Sequence, residues 1–517
     1  MNDVISAIAN EGVVEKVEAP LRTTVLAGAF FGHRYADAAA PVAAFPTLPP
    51  AEALAAWFGQ IEAVRLAADP EACRTALDRD IAAIDTLLGE QLDAILHHQR
   101  VQQLEGSWRG LAWLTGGLDP GRRVKVKVLN LSWSDICRDL DRAVEFDQSQ
   151  LFNKVYESEF GTPGGEPYGL LMIDHEVRHR PAAGAPTDDV AALNQLAGIA
   201  AAAFAPTILS ASPALLQVED FNDLSMVTNL ADPFRGPEFA RWRTLSARED
   251  MRFVGITLPR VLARPIWEDD PTRIDGFRYA EYAPTTASRV WMSAGYAFAA
   301  VVARAFDNFA WPADVRGFET DYVGAGLVTD LAIESFHTDP DHVWARPPIE
   351  LVLSHHIETA LVNAGLMPLS MLPFGEEAVF SAARSLQAPQ SFLGPNAAAA
   401  DANARLSAQF NSMLCVSRFA HYVKIIGRDM TGSFKTAQEI ERRVQAWLTS
   451  YVNANLTAGP EMRARFPLVG ASINVRERPG RPGVFGAVIH LQPHFQLDNV
   501  AATFRLVTDI TALGAQT

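Results

Sequence analysis

The sequence predicts a mixed α/β protein built from more than one domain. Its 517 residues exceed what one core usually holds, since domains run to roughly 100–200 residues. Helical periodicity and short strand-like runs alternate through residues 71–385. Beyond the Pro/Gly/Ala-rich stretch 387–396 the pattern changes to two long helices followed by three strands, which places a boundary before Asn396. The expected division is an N-terminal arm with a helical segment over 1–70, ordered on a partner, an α/β core over 71–385, and a C-terminal domain over 396–517.

Within the first 50 residues, ADAAAPVAAFPTLPPAEA reads as an extended arm with little core of its own. Residues 51–118 are helical, and Ile81, Ile84, Leu87, Leu88, Leu92 and Ile95 make an amphipathic stripe. In Arg123–Asn130, Val124, Val126 and Val128 alternate with Arg123, Lys125 and Lys127, the pattern of a half-buried strand. Trp133–Val144 returns to helix, with Ser134 as its N-cap. Tyr168–Asp174 and Asp250–Pro259 read as strands, and Glu350–Leu353 as a short one. The Ala-rich Val190–Phe204 and the apolar Val290–Asn308 read as buried helices, and His355–Ala364 as a helix closed by Gly365. Asn396–Ile426 and Ser433–Leu456 read as two long helices. Ala471–Arg478, Val484–Leu491 and Ala501–Val507 follow as strands, the first two joined as a hairpin through Pro479-Gly480 and Pro482-Gly483.

The formal net charge of -16 argues against nucleic acid or an anionic membrane surface, because both need a basic face. Charge is uneven: residues 370–517 carry 14 Lys and Arg against 10 Asp and Glu, and the remainder carries 30 against 50. A basic lobe on an acidic body suits oriented self-association or an ordered partner interface; a solvated surface with chance asymmetry gives the same counts. Cys73, Cys137 and Cys415 are too scattered for a disulfide framework or a thiolate metal site and fit a reducing, cytosolic compartment. The opening MNDVISAIANEGVVEKVEAP lacks the basic and apolar regions of a signal peptide. The window Ala191–Ala205 is too short to span a bilayer and Trp291–Ala310 carries Arg304 and Asp307, so no direct membrane insertion is expected.

The common catalytic signatures are missing from the sequence: there is no P-loop, no G-x-S-x-G elbow, no C-x-x-C and no H-E-x-x-H. Gly324-Ala325-Gly326 begins a dinucleotide fingerprint, but Thr329 stands where its third glycine belongs. His355 and Glu358 lie three apart on a helix, within reach of one metal ion, yet no third ligand is near in sequence. Glu166 and Asp174 could be the paired acids of a hydrolase, although nothing in their spacing supports it. Gly161–Gly169 (GTPGGEPYG) could cradle an anion or be a loop with obligatory turn geometry; Gly164, Gly165 and Glu166 are taken as structural anchors. Arg418 and His421, in the run Arg418-Phe419-Ala420-His421-Tyr422, read as packed, hydrogen-bonded anchors. Trp108, with its large area, and Arg109, with five donors, are expected to anchor the first strand–helix unit. No catalytic residue, cofactor or metal is expected.

Several long segments resemble the large subunit of the bacterial type VI secretion contractile sheath. They are Leu96-His97-His98, Leu104–Leu111 (LEGSWRGL), Ala143–Gly169 (AVEFDQSQLFNKVYESEFGTPGGEPYG), Asp250–Arg264 (DMRFVGITLPRVLAR), Ser417–Gly432 (SRFAHYVKIIGRDMTG) and Leu491–Leu497 (LQPHFQL). Their order and spacing look like this TssC/VipB-like family from about residue 75 to 510. The N-terminal arm, Gly106, Glu319-Thr320-Asp321-Tyr322 and His355-His356 depart from the family's usual pattern. The resemblance implies a contractile tail-sheath-like fold and a structural, non-enzymatic role. It implies pairing with a small sheath subunit, stacking with further copies of itself in a helical tube, and contraction that drives out an inner tube of hexameric rings. Baseplate components and a ClpV-type AAA+ ATPase would be further partners. The location would be the bacterial cytoplasm, in a sheath on a membrane-anchored baseplate. A related phage-tail-like injection machine is the nearest alternative, and a hydrolase using Glu166 and Asp174 or the His355 cluster is the alternative of another class.

The sequence also suggests where subunits join. Ile473 and Val475 alternate with Ser472, Asn474, Arg476 and Arg478, and Val484 and Phe485 open the return strand. A hairpin near a chain end offers an open edge for strand addition. Arg476 and Arg478 would face an acidic surface on the adjoining heterodimer.

Overall fold

The computed structural model describes residues 20–29, 35–118, 123–162, 164–227, 233–272, 276–318, 323–373, 375–390, 392–393, 397–430, 436–455, 457–477, 484–494 and 504–511. The chain gathers into two compact units, Met1–Val101 with Ile266–Ser288, and Gln102–Pro265 with Arg289–Thr517.

The first unit is helical. Its Pro/Ala stretch is not an extended arm: Tyr35–Ala44 is helix and Phe45–Thr47 a 3-10 turn. Alanine is the strongest helix former, and here it outweighs the interior Pro41. Helix α1 (Pro50–Phe58) starts with proline at its first position, and Gly59, at φ +84, turns the chain into α2 (Gln60–Ala67). The carboxylate of Asp69 accepts from the Glu71 and Ala72 N–H groups and caps α3 (Pro70–Leu96). The stripe on α3 is only partly used, since Ile81 and Ile95 are each 50% exposed. Its one fully buried residue is instead Asp80. Asp80 accepts from Trp57 Nε1 at 2.9 Å and from Arg22 Nε and Nη2 at 2.6 and 2.8 Å. The Arg22 guanidinium holds this carboxyl below the usual carboxylate range. In the same unit Glu281 takes His97 Nε2 at 3.1 Å and the Trp267 N–H at 2.9 Å.

In the second unit, β1 (Leu171–Val177), β2 (Thr207–Ala211), β3 (Val254–Leu258) and β4 (Met367–Pro368) form a parallel sheet in that order. Every residue of β2 and β3 is buried, as in sheets covered on both faces. Helices α4 (Gln99–Gly116), α5 (Trp133–Arg142), α6 (Asp189–Ala203) and α7 (Ala294–Phe309) surround it. Leu193, Leu196 and Ile199 of α6 share a core with Leu209 and Ile256, whereas Ala297, Phe298 and Val301 of α7 share another with Ile208 and Met367. Adjacent Ile208 and Leu209 point to opposite faces, so α6 and α7 cover opposite faces of the sheet. Gly198 of α6 admits no side chain, because a Cβ there would lie 2.7 Å from the Phe146 ring. Among the described residues no helix is long and apolar enough to cross a membrane.

Helix α8 (His355–Asn363) closes at Gly365, at φ +86. The long helix expected over Asn396–Ile426 is two, Ala397–Ser407 and α9 (Phe410–Asp429). The break has a backbone cause: Ala408 O accepts from Ser385 N, and Phe410 N donates to Ala383 O. Helix α10 (Ala437–Thr449) carries a reciprocal Thr436–Glu439 capping box. The antiparallel sheet β5 (Leu468–Glu477), β6 (Val484–Pro493) and β7 (Phe504–Thr511), in that order, ends the fold. Elsewhere the hairpin Glu334–Asp339/His342–Arg346 is tied down at Glu334, which takes Arg289 at 2.8 Å and Arg346 at 3.0 Å.

Four further expectations differ from the structure. The N-cap of α5 is Ser132, not Ser134, its Oγ accepting from Asp135 N at 3.2 Å. The strand near Tyr168 starts three residues later, at Leu171. Glu350–Leu353 is not a strand; Glu350 is buried against Arg260, whose Nη1 lies 3.1 Å from its Oε1. Arg123–Asn130 is no strand: it has no regular secondary structure and joins no sheet among the described residues.

The Asp80 cluster yields a test. Asp80→Ala leaves the Trp57 indole and the Arg22 guanidinium without their acceptor and should cost about 2 kcal/mol, since charged hydrogen bonds contribute roughly 1.5–3. Limited proteolysis should then show faster cutting in residues 20–101, with residues 102–265 unaffected.

Candidate assembly interface

The C-terminal sheet is built by alternation. Ile473 and Val475 of β5 and Ala487, Ile489 and Leu491 of β6 point inward, with Phe419 and Val423 of α9 and Ile440, Val444 and Leu448 of α10 in the same core. Ser472, Asn474 and Arg476 are exposed. The apolar face assigned to a subunit contact is therefore internal. Ile473 and Val475 are 7% and 6% exposed because α10 lies over them. Phe485 packs partly against the same core.

The two edges of this sheet are not equivalent. On β5 the outward N–H groups of Ile473 and Val475 donate to Gln445 Oε1 at 3.1 Å and Glu441 Oε2 at 2.9 Å. Gln445 Nε2 donates back to Ala471 O at 3.0 Å. Side chains of α10 thus occupy the edge that the sequence leaves open. By alternation Asn474 pairs inward with Val488, and Ala487 and Ile489 pair with Thr508 and Leu506. The N–H groups of Arg505, Val507 and Asp509 then point away from β6, and no described strand lies beyond them. Arg476 is exposed and donates through Nε to Asn474 Oδ1 at 3.0 Å. Arg478 and the Pro-Gly turn lie outside the described residues, as does the Val484 side chain.

The expected anchors divide. Trp108 is 62% exposed and anchors nothing in its own core. Helical geometry explains this: Gly106, Gly110 and Leu114 form the buried face of α4, and Trp108 lies about 200° around from Gly106. A Cβ at Gly106 would sit 2.1 Å from the Trp291 carbonyl oxygen, so close backbone approach, not an aromatic side chain, seats this helix. Arg109 donates to Glu105 at 2.6 Å, and Glu105 also takes Arg264 Nε at 2.7 Å. Burial works against the Glu105 charge, but the two guanidiniums hold its carboxyl below the usual range.

In the glycine loop, Gly164 takes φ +84, and a Cβ at Gly165 would lie 2.1 Å from Glu159 O. Glu166 is exposed and accepts from Lys125 Nζ at 2.6 Å, while Glu159 pairs with Lys127 and accepts from the Glu166 N–H at 3.1 Å. Asp174 accepts instead from the Tyr296 hydroxyl at 3.0 Å. The two proposed hydrolase acids are thus held in separate networks. His355 and His356 are exposed, Glu358 accepts from Ser381, and no metal-binding group of three or more such side chains occurs among the described residues. Open parallel sheets place ligands at the C-terminal ends of their strands. Here Arg260 fills that end, donating to Glu176 at 2.8 Å and to Glu350, which burial pushes up to about 7. A cavity of about 40 Å³ beside Asn411, Arg463 and His494 has room for water rather than a substrate.

His421 is fully buried on α9. Its Nε2–H donates to Ala203 O at 2.9 Å, at the end of α6, and its ring meets Phe160 and Phe204 edge-on. The Arg418 guanidinium lies 5.1 Å from the Phe306 ring centre and 4.7 Å from that of Tyr422. Sequence reasoning missed the Gln445–Glu441 cover of β5, whose only signal is a polar pair four apart on α10, facing a strand.

Burial pushes His421 down from 6.5 to about 4, so the folded protein resists a proton that the unfolded chain accepts. Its stabilisation is complete above pH 6.5 and is lost as pH falls toward 4, by up to about 3 kcal/mol. In urea titrations at pH 7 and pH 4.5, His421→Asn should start less stable yet lose less on acidification than the unmodified chain.

Residues 78–387 match the family described as VipB: EvpB/VC_A0108, tail sheath N-terminal domain. Residues 399–510 match its companion, the EvpB/VC_A0108 tail sheath gpW/gp25-like domain. The type VI secretion system sheath protein TssC1 of Pseudomonas aeruginosa is 35% identical over 440 residues, spanning 84% of this chain and 86% of that one. A chain in the cryo-EM structure of the anti-feeding prophage baseplate is 9% identical, covering 73% of this chain and 82% of that one, with a TM-score of 0.32, too slight a likeness to carry an argument. On the two family matches and the identity to TssC1, the chain belongs to the VipB/TssC family of type VI secretion tail sheath proteins.

Proposed function

We propose that this chain is the large structural subunit of a contractile type VI secretion sheath. It pairs with a small sheath subunit, and the pairs stack as a helical tube around an inner tube of hexameric rings and contract to propel it. The observation that carries this reading is the 35% identity to a sheath protein across 84% of the chain. In this reading the chain performs no catalysis, works in the bacterial cytoplasm, docks on baseplate components and is dismantled by a ClpV-type ATPase. Its division near residue 396 is the junction of the two sheath domains, which the matches ending at 387 and starting at 399 support.

The outer edge of β7 is the place for strand addition between neighbours in the C-terminal sheet, because α10 already occupies the edge of β5. Arg476, with Arg478, faces acidic surface on the adjoining pair; the face formed by Ile473 and Val475 belongs to the subunit's own core.

Electron microscopy of the chain co-expressed with its small subunit should show long tubes; discrete particles alone would contradict the reading. Val507→Pro removes an outward N–H from β7 without touching its pairing with β6, so it should shorten or abolish tubes while melting stays within about 1 kcal/mol. Arg476→Glu with Arg478→Glu should weaken assembly most at low salt. Asn474→Pro is no probe of the interface, because it breaks the internal β5–β6 ladder.

A further inference from the structure

The segment Val124–Leu131 has the alternation of a strand but belongs to no helix, strand or turn, and its backbone makes no hydrogen bond among the described residues. Its side chains are also uncovered: Val126, Val128, Leu129 and Leu131 are 41%, 64%, 59% and 43% exposed. A strand-patterned run with neither ladder nor cover is rare in a finished fold, since unpaired N–H and C=O groups beside apolar surface are a template for another chain. The segment is nevertheless held in place. Lys125 pairs with Glu166 and Lys127 with Glu159, and the Arg123 N–H donates to Asp307 at 3.3 Å. These anchors fix the lysine side and leave Val126 and Val128 on the other.

We propose that Val124–Leu131 is a strand-addition site for an extended segment of the small sheath subunit, which completes a sheet on this edge and covers the two valines. The proposal rests on the pairing of two different chains given above. The incoming strand has apolar residues at alternate positions and a carboxylate opposite the Arg123 guanidinium, which has no ion-pair partner among the described residues. A second copy of this chain is the poorer occupant. Pairing the segment with itself brings two Arg123 guanidiniums together with no carboxylate between them, and a helical polymer joins unlike surfaces, not like ones. This site is separate in sequence from the β7 edge, so one chain offers two edges, one for its partner and one for its neighbours.

Hydrogen exchange on the full-length chain, alone, in the co-purified pair and in assembled tubes, tests this. In the pair the amides of residues 124–131 should exchange about 100-fold more slowly than in the chain alone, because a ladder bond must open first. Val126→Asp with Val128→Asp should abolish co-purification while leaving the melting of the chain alone unchanged, as both side chains are solvent-exposed there. A pair that forms with free exchange at 124–131 overturns the proposal and leaves the sheath reading standing. Protection that appears only in tubes assigns the edge to a neighbouring copy, and protection already present in the chain alone assigns it to the chain's own residues; either overturns it. Failure to form any pair with the small subunit would sink the sheath-pairing reading itself.

Discussion

An extended chain exposes N–H and C=O groups sideways along both edges, and burying them unpaired costs more than most side-chain contacts return. This constraint organises the molecule. The buried strands β2 and β3 satisfy it inside a four-stranded parallel sheet whose faces are closed by α6 and α7. Strand β5 satisfies it with side chains, through Gln445 and Glu441 of α10. Val124–Leu131 and the outer edge of β7 do not satisfy it within the described chain. A subunit that must bind firmly and yet let its neighbours slide has reason to keep main-chain edges for its joints. Ladder bonds depend on backbone geometry and survive changes in side-chain surroundings.

The elements most legible in the sequence were those whose composition admits one environment. The Ala-rich run Val190–Phe204 reads as a tightly packed helix; the helix spans Asp189–Ala203, and Gly198 shows how tightly it packs, since even a methyl group would meet Phe146. The hairpin near the chain end was legible because Ile473 and Val475 alternate with Ser472, Asn474 and Arg476. What that alternation could not say is what covers each side. Its apolar face belongs to α10 of the same chain, and only the long-range contact of Gln445 with Ala471 and Ile473 reveals it.

The same limit explains Trp108 and Arg123–Asn130. Trp108 has the size of a core residue, but the glycines at 106 and 110 turn the helix so that it faces outward. Val124, Val126 and Val128 have the period of a strand, and period carries no information about whether a partner strand lies in the same chain. Of the candidate anchors, His421 was the more legible kind. A histidine amid Phe419, Ala420 and Tyr422 has few ways to be satisfied, and a backbone carbonyl at the end of α6 is one. The acidic candidates Glu166 and Asp174, eight residues apart in sequence, have structural partners of their own in Lys125 and Tyr296.

A cryo-EM map of the assembled tube at side-chain resolution would test the central claim most directly, because it shows which backbone lies beside each edge. The account predicts foreign strands beside Val124–Leu131 and beyond β7, and none beside β5, where Gln445 and Glu441 remain in place. A tube in which a neighbour's strand displaces those two side chains, while Val124–Leu131 stays unpaired, would contradict it.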